Sequence, residues 1–180
     1  MKKTVTLMLS AMLLTLTAAC QLQTLPAKTG AGNEPVLSIE VEQLITEYIE
    51  EQVAHQAHDG RTFAAQEIYG TEEKEDGKIH VYLWAYYMEY YLRNGTLHEG
   101  GGASLPLVLV LDKNAAGLFF VAEHHTPLDG SGYAPSVRRL FPQKYHKRIF
   151  SRTNVHDLEP LVRQKGERHF QQSAGLYSEY

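Results

Sequence analysis

A chain of 180 residues with 43% apolar content can bury one domain's core, and its single cysteine excludes a disulfide framework. Lys and Arg number 17 against 21 Asp and Glu, a formal charge of −4, which argues against a nucleic-acid partner.

The first twenty residues, MKKTVTLMLSAMLLTLTAAC, place Lys2 and Lys3 before an uncharged apolar run from about Val5 to Leu16, then small residues before Cys20. That order is a bacterial export signal. The apolar run is shorter than the roughly 20 residues of a bilayer span. Thr17-Ala18-Ala19-Cys20 resembles the lipobox read by lipoprotein signal peptidase, with Thr17 where leucine is usual and Leu16 one place early. The resemblance implies removal of signal peptide 1–19 and acylation of Cys20, palmitate included, as the new N-terminus. The competing reading is an ordinary signal peptide with an incidental cysteine. Several acyl chains hold a protein stably on a membrane. The expected location is therefore the outer face of the cytoplasmic membrane, or the outer membrane in a cell with two. An acylated Cys20 leaves no thiol for a metal site or a nucleophile.

Loss of Lys2 and Lys3 takes the formal charge to −6. Residues 20–133 carry 6 basic and 17 acidic side chains, whereas residues 134–170 carry 9 basic and 3 acidic. One reading packs the basic segment beside the acidic one. The other turns Arg138, Arg139, Lys144, Lys147, Arg148 and Arg152 toward anionic lipid or wall polymer, where each contributes about 1 kcal/mol. Residues 20–37, with Pro26, Gly30, Gly32, Asn33 and Pro35, read as a flexible tether. A single domain is expected over 38–170, with 171–180 as a frayed tail.

From Ser38, placed as N-cap, Ile39, Val41, Leu44, Ile45, Tyr48, Ile49 and Val53 recur at helical period, with glutamates on the other faces. This helix is expected to end between His55 and Gly60. Strand-like runs follow over 62–71, 78–92, 105–111 and 118–125. They are separated by Asp76-Gly77, Asn94-Gly95, a flexible loop opened by Gly100-Gly101-Gly102, and a turn over 113–117. Short helices are expected around Val137–Phe141 and from Pro142 through Ile149, with a terminal helix over 155–167. The fold class is α+β: an N-terminal helix packed on a curved antiparallel sheet of about four strands, with short C-terminal helices.

The run VYLWAYYMEYY, residues 81–91, is informative by parity. As a strand it puts Tyr82, Trp84, Tyr86, Met88 and Tyr90 on one face and Val81, Leu83, Ala85, Tyr87, Glu89 and Tyr91 on the other. Neither face is wholly polar, so a central strand covered on both sides is expected. A helix is the competitor, since Leu83, Tyr86, Tyr87, Tyr90 and Tyr91 also share helical spacing; the flanking turns and aromatic enrichment favour the strand. The phenol tips near Tyr86–Tyr91 lie at a rim or close a half-wet pocket.

The ordered signs Phe63, Glu67-Ile68-Tyr69-Gly70-Thr71-Glu72, Val81-Tyr82-Leu83-Trp84, Tyr90-Tyr91, Gly100-Gly101-Gly102-Ala103-Ser104, Pro106, Asp129-Gly130-Ser131-Gly132-Tyr133 and Leu140-Phe141-Pro142 look like a group of small lipoproteins and exported domains of Gram-positive bacteria. The resemblance covers about residues 62–150. The element order is also similar to the cystatin-like and NTF2-like superfamilies. Neither likeness brings catalytic residues with it.

Among titratable residues, Glu89 within the tyrosines is the best acid-base candidate: desolvation in a sheet cone would raise its pKa, with Tyr86 or Tyr90 as partner. A solvated sheet-face carboxylate is the ordinary alternative. His55 and His58 fall at i and i+3 near a helix end, where the helix dipole accounts for them better than zinc does. His124 and His125 point to opposite faces of an extended strand. No cofactor or metal is expected. The expected role is a lipid-anchored binding or accessory module, more a non-enzyme than an enzyme, with the membrane and a protein, wall polymer or small molecule as partners.

Overall fold

A computed structural model describes residues 37–151 and 155–176. The expected signal peptide, Cys20, the tether through residue 36, Arg152 and residues 177–180 lie outside the described residues. The described residues fall in one unit spanning 32–180. They form an open four-stranded antiparallel sheet with four α-helices, an α+β architecture.

Helix α1 covers Ile39–Tyr48, and the Ser38 hydroxyl accepts from the Val41 N–H at 3.4 Å. The cap satisfies one of the donors that a helix N-terminus leaves free. A π turn over Ile49–Val53 continues it, closed by the Ala54 N–H donating to the Ile49 carbonyl at 3.0 Å. Ala54 is extended, so the helix stops before His55, His58 and Gly60 rather than among them.

The strands are β1 Arg61–Glu73, β2 Ile79–Arg93, β3 Thr96–Lys113 and β4 Phe119–His125, neighbours in sequence order. Asn94 and Gly95 both have positive φ (53° and 75°), the conformation a two-residue hairpin needs to match strand twist. Strand β3 departs from expectation. It begins directly after this turn and runs through Gly100-Gly101-Gly102, whose composition predicts a flexible loop. There the β2–β3 register shifts: Met88 pairs with Gly102 but Tyr90 with Glu99, so β3 carries an extra residue opposite Glu89.

The parity expected of β2 is observed. Val81, Leu83, Ala85 and Tyr87 join Leu107, Leu109 and Leu111 of β3 in a cluster with Val41, Ile45, Ile49 and Val53. On the opposite face Tyr82, Trp84, Tyr86 and Tyr90 share a second cluster with side chains of the C-terminal helices. Those helices are α2 Tyr133–Leu140, α3 Gln143–Ser151 and α4 Val155–Leu176, contributing Val137, Tyr145, Ile149, Leu158 and Val162. Each fully enclosed aliphatic side chain contributes about 1.5–3 kcal/mol, so both clusters are substantial. Helix α4 passes the expected end at Glu167, because Phe170 still packs against the aromatic cluster.

Candidate functional site

The end of the sheet beyond α1 is closed by the loop 54–60, and Glu89 holds it there. Its side chain is fully buried, and its carboxylate accepts from the N–H groups of Ala57 (2.9 Å), His58 (2.9 and 3.2 Å) and Gly101 (3.2 Å). His58 Nδ1 lies 3.4 Å from the same carboxylate. The His58 ring stacks on Tyr91, with centroids 4.4 Å apart, and Tyr91 stacks in turn on His98. A side chain at Gly100 would put its Cβ 2.4 Å from Glu89 Oε2 and 3.0 Å from His58 Nδ1. The glycine run is therefore a close-approach surface for the buried carboxylate.

This geometry corrects the acid-base expectation for Glu89. Burial pushes its pKa upward, but the donors from Ala57, Gly101 and His58 outweigh it and hold the carboxyl below the usual range. The pairing with Tyr86 or Tyr90 does not form, because both phenols belong to the cluster on the opposite face of β2. Burial raises both phenols, Tyr90 to about 12, so they stay protonated at neutral pH.

The histidines are dispersed. His55 and His58 lie in the loop after the π turn, so the proposed dipole at a helix C-terminus does not act on them as a helical pair. His124 Nδ1 meets the Tyr48 hydroxyl at 2.9 Å, whereas His125 Nε2 lies 3.4 Å from Glu123. Among the described residues no group of three or more His, Cys, Asp or Glu side chains is arranged to hold a metal ion. Ser131 sits in a 3₁₀ turn, and the buried serine nearby is Ser136, which accepts from the Leu128 N–H and donates to the Gly132 carbonyl.

A further pair of charges meets at the edge of the sheet. Glu50, from the π turn, accepts from the Ala64 N–H at 2.9 Å, while Lys165, from α4, donates to the Ala64 carbonyl at 2.6 Å. Ala64 lies on edge strand β1, so two opposite charges from different helices satisfy backbone groups that the sheet leaves unpaired. Burial raises the Glu50 pKa, against the opposing Ala64 bond and the nearby Lys165 and Arg61; burial lowers that of Lys165. Nothing in the local sequence relates residues this far apart.

The charge asymmetry acquires a location. Residues 39–53 carry Glu40, Glu42, Glu47, Glu50 and Glu51 and no basic side chain; α2 and α3 carry Arg138, Arg139, Lys144, Lys147 and Arg148 and no acidic one. The five cations are exposed. Arg148 pairs with Glu67 and lies over the Tyr69 ring at 4.4 Å, and Arg138 lies over the exposed Phe150 ring at 5.4 Å. Arg152 lies outside the described residues. No described helix is long and apolar enough to cross a membrane. No protein-family model matches this chain, and no curated protein or solved structure matches it.

Proposed function

We propose that this chain is a lipid-anchored lipoprotein of the bacterial envelope, a binding or accessory module held outside the cytoplasmic membrane by acylated Cys20. The observation that carries this is the leader, in which Lys2 and Lys3, the apolar run to Leu16 and Thr17-Ala18-Ala19 lead directly into the only cysteine. Kinship with small Gram-positive lipoproteins is part of the same proposal. So is the finer arrangement, a curved sheet resting on α1, supported by the aliphatic cluster that α1 shares with β2 and β3.

Expression of the full chain with a fatty-acid probe tests the anchor. The wild type is expected to be labelled and shortened, and Cys20→Ala to be unlabelled and to accumulate as precursor. Normal labelling of Cys20→Ala sinks the proposal.

The basic face of α2 and α3 is proposed to meet the anionic surface next to which the anchor holds it. Each cation there contributes about 1 kcal/mol at low salt. Replacing Arg138, Arg139 and Lys144 by Gln is expected to weaken binding of the chain to anionic vesicles by at least ~10-fold. Affinity unchanged at low salt removes that role.

A further inference from the structure

At one end of the aromatic face the packing leaves a cavity with a chemically distinctive lining. Strand pairing aligns Tyr82, Val108 and His125 in one row across β2, β3 and β4, and sets Glu72 opposite His80 in the next row. The end of α2 and the link to α3 close over these rows, leaving a cavity of about 400 Å³. Pockets of roughly 300–1,000 Å³ with apolar walls and a few converging polar groups are the usual form of small-molecule sites.

The polar groups divide into two sets. Glu72 is already engaged, accepting from the Tyr82 hydroxyl at 2.8 Å and pairing with Lys74 at 2.8 Å. Arg139 lines the cavity with His80 and His125, and it makes no hydrogen bond or ion pair among the described residues. Below it, Tyr82, Val108 and Phe141 supply a buried apolar floor. The cavity thus offers an uncommitted guanidinium, the His80 imidazole and the His125 imidazole, whose Nε2 lies 3.4 Å from Glu123, above a dry surface. A carboxylate or phosphate is what a guanidinium fork recognises.

We propose that this cavity is a binding site for a small organic anion, with its charged group held by Arg139 beside His80 and His125 and its apolar body on Tyr82, Val108 and Phe141. The site does not depend on the anchor, but it shares Arg139 with the basic face proposed to meet an anionic surface, so it is tested without membrane present.

The probe is phenyl phosphate, titrated onto the mature chain by saturation-transfer difference NMR. Inorganic phosphate serves as the charge-only control and benzyl alcohol as the body-only control. Saturable binding of phenyl phosphate, tighter than either control, is expected. Arg139→Gln should weaken it by about 10-fold, while Arg138→Gln, an equal change of charge one residue away, should leave it within about 2-fold. Val108→Trp, which fills the floor, should abolish it in a variant whose circular dichroism matches the wild type. Equal losses for Arg138→Gln and Arg139→Gln, an unchanged affinity in Arg139→Gln, or no saturable binding would each overturn the proposal.

Discussion

The two faces of the sheet solve burial differently. The face toward Ile45 and Ile49 is aliphatic along most of its length, with Leu83, Leu107, Leu109 and Leu111 fully enclosed. The opposite face is aromatic, and its polar atoms find partners at the periphery: the Trp84 indole N–H donates to Ser104 Oγ and the Tyr82 hydroxyl to Glu72, each at 2.8 Å. An aliphatic surface asks only to be covered, whereas a surface of tyrosines needs its hydroxyls led to partners. The fully buried charge on the aliphatic side is Glu89, located where α1 has ended. At that point closure passes from side-chain packing to backbone N–H groups converging on one carboxylate.

The sharpest way to break this contrast is Glu89→Ala, which leaves the N–H groups of Ala57, His58 and Gly101 without their acceptor. A loss of about 4 kcal/mol in urea unfolding is expected, as when one partner of a buried charged contact is removed. A loss below ~1 kcal/mol would mean that the loop is held by other contacts. The pH dependence has a definite sign. The folded Glu89 pKa lies below its ordinary value of 4.5, so its contribution is complete above that value and lost as pH falls through the folded pKa. Glu50 is raised above 4.5 and contributes the opposite slope, its share of stability falling as pH rises through its interval. Glu89→Gln should flatten the acid limb, and Glu50→Gln should steepen it.

Gly100→Ala sharpens the comparison from the other strand. A Cβ there would stand 2.4 Å from Glu89 Oε2, so a cost of about 2 kcal/mol is expected from overpacking a rigid site. Measured in a Glu89→Ala background, that cost should largely vanish. A penalty that persists would show that the glycine serves the strand and not the carboxylate.

The smallest expected effect lies at the edge where the two faces meet. Lys165→Met removes the donor to the Ala64 carbonyl, and thermal or urea unfolding should register about 1 kcal/mol. A double-mutant cycle with Glu50→Gln measures whether the two helices act together across β1, and purely additive losses would dissolve that link.

Much of the fold was legible because its signals are local. Ser38 and the apolar stripe after it specified α1, and Asn94-Gly95 specified a hairpin. Strand parity over residues 81–91 sorted Leu83 from Trp84 before any contact was known. The candidate site was much less legible. His55 and His58 continued an apparent helical spacing, but the extended backbone at Ala54 ended the helix. Gly100-Gly101-Gly102 had the composition of a loop, yet pairing with β2 made it strand, since glycine also suits a close approach.

By itself the sequence determined the strand alternation, the hairpin turns and the polarity that separates the glutamates of α1 from the cations of α2 and α3. These are written in the order of neighbouring residues, where side-chain period and turn chemistry act directly. Tertiary structure alone decided that the Glu89 carboxylate gathers the N–H groups of Ala57, His58 and Gly101, that Glu50 and Lys165 meet at Ala64, and that Arg139 lines the same cavity as His80 and His125. Those outcomes depend on donors and charges brought from distant parts of the chain, and a carboxylate's chemistry follows the groups that surround it in space.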